Sequence, residues 1–204
     1  TPTRSWASPM PSSGRSRERL GMRSARRLPE ARRMLSRSAI PSLVLLVLLG
    51  ASTGANAEPI GIGDSVMRGA RTQLRARGFM VNATVSRQFW EGVDLVERLA
   101  RNGELPRRVV VHLGNNGYLS MESCRQLVDA VGRRELALVN LRLPRPWRRD
   151  NNDRLERCAR GEPNVHVIDW FGHARGHDAW FADDGYHLTP LGARRYAGYL
   201  AHHA

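Results

Sequence analysis

The 204-residue chain has no lysine, only two cysteines and no apolar run of the roughly 20 residues that a membrane-spanning helix needs. All 32 of its basic residues are therefore arginine, set against 19 acids for a formal net charge of +13. Total absence of lysine fits a bias toward GC-rich codons as well as it fits a phosphate-binding surface. The excess is also uneven. Residues 1–57 hold 10 arginines and 2 glutamates, and the remainder holds 22 arginines against 17 acids. No basic helix with interleaved aromatics is present, which argues against a nucleic-acid partner. Two cysteines, Cys124 and Cys158, allow one disulfide or two separate buried thiols. No internal repeat is visible.

Three segments follow from composition. Residues 1–38 are rich in Arg, Ser and Pro without an apolar period and read as disordered or as an overlong gene model. Residues 39–57, "AIPSLVLLVLLGASTGANA", contain an apolar core of about a dozen residues and end in Ala55-Asn56-Ala57. A basic flank, a short apolar core and small residues at the cleavage positions read as a secretory signal. An uncleaved membrane anchor is the alternative. Met34 would make a compact start, and cleavage after Ala57 would leave residues 58–204 as the exported, envelope-located domain.

Within residues 58–204 apolar strands alternate with helical patterns. "PIGIG", "FMVNATV", "RRVVVHLG", "LALVNLR" and "NVHVIDW" read as five strands. Val66, Ala70 and Leu74 share one helical face, as do Val93, Val96, Leu99 and Ala100. Met121, Cys124, Leu127, Val128 and Val131 mark a third helix behind an N-cap at Ser120, and residues 150–160 a polar one. Thr189-Pro190 opens a last helix carrying Ala193, Tyr196, Ala197 and Leu200. This alternation predicts a three-layer α/β/α sandwich around a five-stranded parallel sheet, with ligands at the carboxyl ends of the strands.

Three of those strand ends carry chemistry. Gly63-Asp64-Ser65 follows the first, Gly114-Asn115-Asn116-Gly117 the third, and a loop after the fifth leads to "WFADDGYHLTP". A serine needs a base to take its proton, and a histidine base needs a carboxylate to hold its tautomer. Asp184 and His187, three residues apart with Gly185 between, suit that pair, and Ser65 suits the nucleophile. Asp183 competes with Asp184 for the acid. The Ser65 amide and the Asn116 side chain are candidate oxyanion donors.

"GDSV", "GNNG" and "DDGYHL", in this order, resemble the SGNH (GDSL-type) hydrolase superfamily. The match is closest to the extracellular SGNH domains of peptidoglycan and polysaccharide O-acetyltransferases, whose linking segments "VNLRLPRPW…NN" and "DDGYHLTPLGARRYA" resemble. The likeness runs over about residues 59–200. It implies the flavodoxin-like form of the sandwich, with Ser65 as nucleophile, His187 as base and Asp184 as its acid. It also implies a third oxyanion donor, the amide of Ser86, where the family has glycine. Asn115 stands where the subgroup has threonine. The implied activity is that of an exported serine esterase or acyl-transferring enzyme acting on O-acyl, chiefly O-acetyl, esters of envelope carbohydrate. It needs neither metal nor organic cofactor, and its acyl groups come from existing esters or a partner membrane acyltransferase. O-acetyl transfer to a sugar and a catalytically silent wall-binding domain are the other readings.

The remaining polar residues have plainer readings. Asp64 reads as a helix N-cap. His173, His177 and Asp178 have zinc-like spacing but read as a solvated loop. Trp147, Trp170 and Trp180 read as packing before sugar stacking, and Arg87 and Arg142 as solvated side chains before polymer contacts. Cys124 and Cys158 fall on helices flanking the fourth strand, within disulfide reach if those helices are neighbours.

Overall fold

In the computed structural model, residues 58–204 are described; the expectations for residues 1–57, the secretory signal among them, lie outside the described residues. Five strands form one parallel sheet: β1 (Ile60–Gly63), β2 (Met80–Ala83), β3 (Arg108–His112), β4 (Glu135–Val139) and β5 (Val165–Ile168). Their order across the sheet is β2-β1-β3-β4-β5. This is the flavodoxin-like order, and its switch point lies between β1 and β3, where ligands bind. All five expected strands are present, each trimmed to four or five residues.

The helices are α1 (Ser65–Gly69), α2 (Arg71–Arg75), α3 (Phe89–Arg101), α4 (Met121–Val131), α5 (Arg148–Ala159), α6 (Trp170–His173) and α7 (Pro190–His203). Ser120 caps α4 by accepting the Ser123 N–H at 3.0 Å, and Thr189 caps α7 ahead of Pro190, as the sequence suggests. The first helical pattern, by contrast, is broken at Ala70 into α1 and α2. The short β5–α6 transition was not apparent in the sequence, since Trp170 continues the apolar run of the strand.

Alternation along the strands sends side chains to two separate cores. Ile60, Ile62, Val109, Val111, Leu136 and Leu138 face α3, α4 and α5. Val110, Ala137, Val139 and Ile168 face Met67, Leu74, Trp170, Tyr196 and Leu200 from α1, α2, α6 and α7. β1 turns glycines toward the second core because α1 lies against it. A Cβ at Gly63 would stand 2.5 Å from the Cβ of Met67, too close for any larger residue. Cys124 of α4 and Cys158 of α5 are joined as a disulfide, with their Cα atoms 6.0 Å apart. No helix among the described residues is long and apolar enough to cross a membrane.

Candidate active site

Ser65 is the first residue of α1, directly after β1. Asp64 caps that helix: its Oδ1 accepts the Val66 N–H at 3.0 Å, which fixes the strand-to-helix corner. The corner leaves Ser65 half-buried at the switch point, with its side chain turned toward the loop before α7.

That loop is closed on itself. Phe181 and Leu188 form an antiparallel bridge, the Ala182 N–H donates to His187 O at 2.8 Å, and the Gly185 N–H donates to Ala182 O at 2.8 Å. Gly185 has φ +78°, a left-handed conformation that glycine adopts without strain. The turn lets Asp184 Oδ1 accept the N–H groups of Tyr186 and His187, both at 3.0 Å, while its Oδ2 lies 2.6 Å from His187 Nδ1. His187 Nε2 lies 2.8 Å from Ser65 Oγ. Asp184, His187 and Ser65 thus form one continuous hydrogen-bonded chain. Partial burial alone would raise the Asp184 pKa. The three donors from His187 and Tyr186 outweigh that and hold the carboxyl below its usual value. With Asp184 ionised on Nδ1, that nitrogen keeps its proton and Nε2 is free to accept the one on Ser65. Asp183 makes no hydrogen bond to His187 among the described residues.

Opposite this chain, Asn116 Nδ2 donates to Asp64 Oδ2 at 3.3 Å and to Arg87 O at 3.2 Å. Neighbouring Asn115 is buried and donates to the same Asp64 oxygen at 2.9 Å. Asp64 is therefore more than a cap, because it ties the Ser65 corner to the β3 loop. Burial pushes its carboxyl up to about 6 even though Asn115 and Val66 donate to it. Ser86 stands in the loop after β2 with φ +61°, the one non-glycine residue with positive φ among those described. The position that the resemblance assigns to glycine thus keeps its left-handed backbone with serine in place.

Four residues that hold this geometry were not singled out for it. Arg87, expected to be solvated, is half-buried. It donates to Gly63 O (3.2 Å), Asn82 O (2.6 Å), Asn82 Oδ1 (2.9 Å) and Thr84 Oγ1 (3.0 Å), stapling the Ser86 loop to the end of β1. Arg142 donates to Gly185 O in the His187 turn and to Asp178 Oδ1 at 2.8 Å, and lies over the Phe181 ring. Asn151 of α5, fully buried, donates to Gly114 O at 3.0 Å and Gly117 O at 2.8 Å and accepts the Leu119 N–H at 3.0 Å. Asn152 makes a two-bond clamp on Leu141. The paired asparagines of a polar helix were the available signal. The arginines offered none, in a chain where arginine is everywhere.

His173 stacks on Tyr199 and His177 on Trp180, while Asp178 pairs with Arg142. The zinc-like spacing of these three does not bring them together, and no cluster of three metal-ligating side chains occurs among the described residues. Trp170 and Trp180 are buried and Trp147 is half-buried against Tyr118.

No family model matches the chain. It is 31% identical over 145 residues to the peptidoglycan O-acetyltransferase OatA of Listeria monocytogenes, a match that covers 70% of this chain and 23% of that protein. The chain thus spans about a quarter of the length of this curated relative. Among solved structures, it superposes on the C-terminal catalytic domain of Streptococcus pneumoniae peptidoglycan O-acetyltransferase A, solved with a methylsulfonyl adduct, at a TM-score of 0.64. That pair is 23% identical, over 71% of this chain and 90% of that one. A member of the lipolytic G-D-S-L family from Veillonella parvula superposes at a TM-score of 0.55 and 19% identity, over 71% of this chain and 96% of that one.

Proposed function

We propose that the chain, a homologue of one segment of the peptidoglycan O-acetyltransferases with the fold of the GDSL-type hydrolases, is a serine acyl-transfer enzyme of the SGNH type. Its substrates are O-acetyl esters of cell-envelope carbohydrate, and an exported domain is where such substrates lie. The observation that carries this reading is the unbroken Asp184–His187–Ser65 chain at the switch point of the sheet.

Each residue has a defined task. Ser65 Oγ attacks the acyl carbonyl as His187 Nε2 takes its proton, and Asp184 holds the imidazole and balances its charge. The carbonyl oxygen becomes an oxyanion. Its donors are the backbone N–H groups of Ser65 and Ser86, neither hydrogen-bonded among the described residues, and Asn116 Nδ2. Asn116 gives up its 3.3 Å contact with Asp64, which is long for such a bond, and keeps Arg87 O. His187 returns the proton to the departing sugar oxygen, leaving an acetyl-serine. The same base then activates the acceptor, water or a sugar hydroxyl. Water at about 55 M always competes, so transfer demands a bound and oriented sugar. Water is the default acceptor of an acyl-serine, and the likeness to O-acetyltransferases favours the sugar as the second reading.

Labelling with a sulfonyl fluoride tests the chemistry, with modification expected at Ser65 and absent from Ser65→Ala. A domain that binds wall polymer without catalysis would leave Ser65 unmodified. Product partition with an acetyl-ester donor and a chitooligosaccharide acceptor separates the acceptors. Acetate release unchanged by the oligosaccharide marks a hydrolase, and acetylated oligosaccharide as the main product marks a transferase.

A further inference from the structure

Beside the His187 turn lies a second concavity, a cleft of about 300 Å³ lined by Arg142, Leu143, Pro144, Arg148, Phe171 and Gly185. It shares an edge with the site above. Gly185 belongs to the turn that carries Asp184 and His187, and a Cβ there would meet Pro144 Cγ at 3.6 Å. Two features of its chemistry stand out. First, no acid lines it, whereas two arginines do and a third guanidinium stands by its Phe171 ring. The guanidinium of Arg148 lies 4.3 Å from the Phe171 ring centroid and that of Arg175 5.8 Å from the same ring, with Arg142 on the wall. Second, the arginines are not equivalent. Arg142 is committed to Gly185 O, Asp178 and the Phe181 ring. The side chain of Arg148 makes no hydrogen bond among the described residues. It is held only by its ring, half-buried, with its donors unspent.

A guanidinium positioned flat on an aromatic face keeps its five donors in a fixed fork matched to a carboxylate. Leu143, Pro144 and Phe171 supply the apolar wall that the CH face of a pyranose packs against. We propose that this cleft is a subsite for a carboxylate-bearing sugar of the glycan, with Arg148 as the ligand of the carboxylate. The inference rests on the reading of the neighbouring site as one for carbohydrate esters. It gives the contact with an anionic polymer to Arg148 rather than to Arg87, which is engaged by Gly63, Asn82 and Thr84, or Arg142, which is engaged by Gly185 and Asp178.

Two assays on the full chain test it. In the first, kcat/KM is measured on acetylated oligogalacturonides, which carry a carboxylate on each residue, and on acetylated chitooligosaccharides, which carry none. The native protein prefers the acidic ester, and added salt erodes the preference. Arg148→Gln lowers the acidic-to-neutral ratio about tenfold, the scale of one charged hydrogen-bonded contact. Arg149→Gln, exposed on the next residue, leaves the ratio as it was. No preference in the native protein, or an equal fall on both esters in Arg148→Gln, overturns the proposal. In the second, Ser65→Ala is titrated calorimetrically with de-esterified oligogalacturonide, with and without Arg148→Gln. This reads the subsite without any acyl chemistry. Failure to turn over any ester would therefore sink the catalytic reading alone, whereas absent binding, or binding indifferent to Arg148, would sink the subsite.

Discussion

The two faces of the sheet are built from different materials. On one, α3, α4 and α5 pack aliphatic side chains against the strands, and the Cys124–Cys158 disulfide joins two of the helices. On the other, α1, α2, α6 and α7 pack an aromatic cluster in which Trp170 meets Tyr196 edge-on at 5.0 Å and Trp180 at 6.0 Å. That second face also buries a polar pair, His112 Nδ1 and Tyr196 Oη, 2.7 Å apart. The candidate site divides along the same line. Ser65 opens α1 and His187 leads into α7, so the groups proposed to move protons hang from the aromatic layer. Ser86 leads into α3 and Asn116 into α4, so the groups proposed to stabilise the developing charge hang from the aliphatic layer. The Asp64–Asn115 and Asp64–Asn116 bonds and the Arg87 staple tie one half to the other.

The largest expected effect falls on the proton-moving half. Ser65→Ala and His187→Ala should each lower kcat for p-nitrophenyl acetate by about 10⁴- to 10⁶-fold, and Asp184→Asn by about 10⁴-fold. Asp183→Asn should stay near the native rate, and a larger loss there than at Asp184 would break the assignment of the acid.

The aromatic layer should be acid-sensitive and the aliphatic layer not. Burial pushes the His112 pKa down to about 3, from an ordinary 6.5. The phenol of Tyr196 stays protonated, because burial raises its pKa well above the usual value, so its O–H donates to Nδ1. Nε2 then carries the proton and has no partner. A histidine whose folded pKa is depressed contributes stability above pH 6.5, and that stability is lost as pH falls toward 3. The loss is about 1.4 kcal/mol per pH unit in that window. Asp64, its carboxyl pushed up to about 6, gains stability over part of the same window, so the His112 effect is read as a difference: between pH 7 and pH 4.5, denaturant unfolding should show the native protein losing stability relative to His112→Leu.

Reduction should strike the other layer. Cross-linking residues 34 apart in the chain is worth about 4 kcal/mol in chain-entropy terms. Thermal melts with and without reductant should differ by that order, and Cys124→Ala with Cys158→Ala should match the reduced protein.

In the charge-stabilising half, Asn116→Ala should lower kcat by about 10²-fold or more, as loss of one oxyanion donor does. A near-native rate would remove Asn116 from that role. Smallest of all, Ser86→Gly should relieve the left-handed serine and change stability by about 1 kcal/mol or less in either direction, since glycine also frees the unfolded chain. Single-turnover rates should be unaffected by it, because the N–H stays.

The alternation of elements was legible because parallel strands buried on both faces are apolar throughout, as "RRVVVHLG" is. The candidate site was legible because Asp184, Gly185 and His187 form a local turn whose chemistry needs no distant partner to be recognised. What escaped the sequence depends on contacts between remote residues. The paired Asn151 and Asn152 mark a polar face, but nothing near them in the chain says that Asn151 clamps a loop 37 positions away at Gly114. Arg87 looks like any other arginine until the strand ends converge on it. The break at Ala70 is likewise invisible to a periodicity that spans it. Asp64 was half legible: the cap is local, whereas the grip on Asn115 spans 51 residues.

The Ser65–His187 contact joins residues 122 apart in the sequence. The two residues stand near opposite ends of residues 58–204, so no fragment shorter than the 123 residues from Ser65 to His187 contains both. The Asp184–His187–Ser65 chain closes only when the turn before α7 docks beside the start of α1. A chain that has not yet brought the two together lacks the proposed centre altogether, so the appearance of turnover would itself report that this part of the fold is complete.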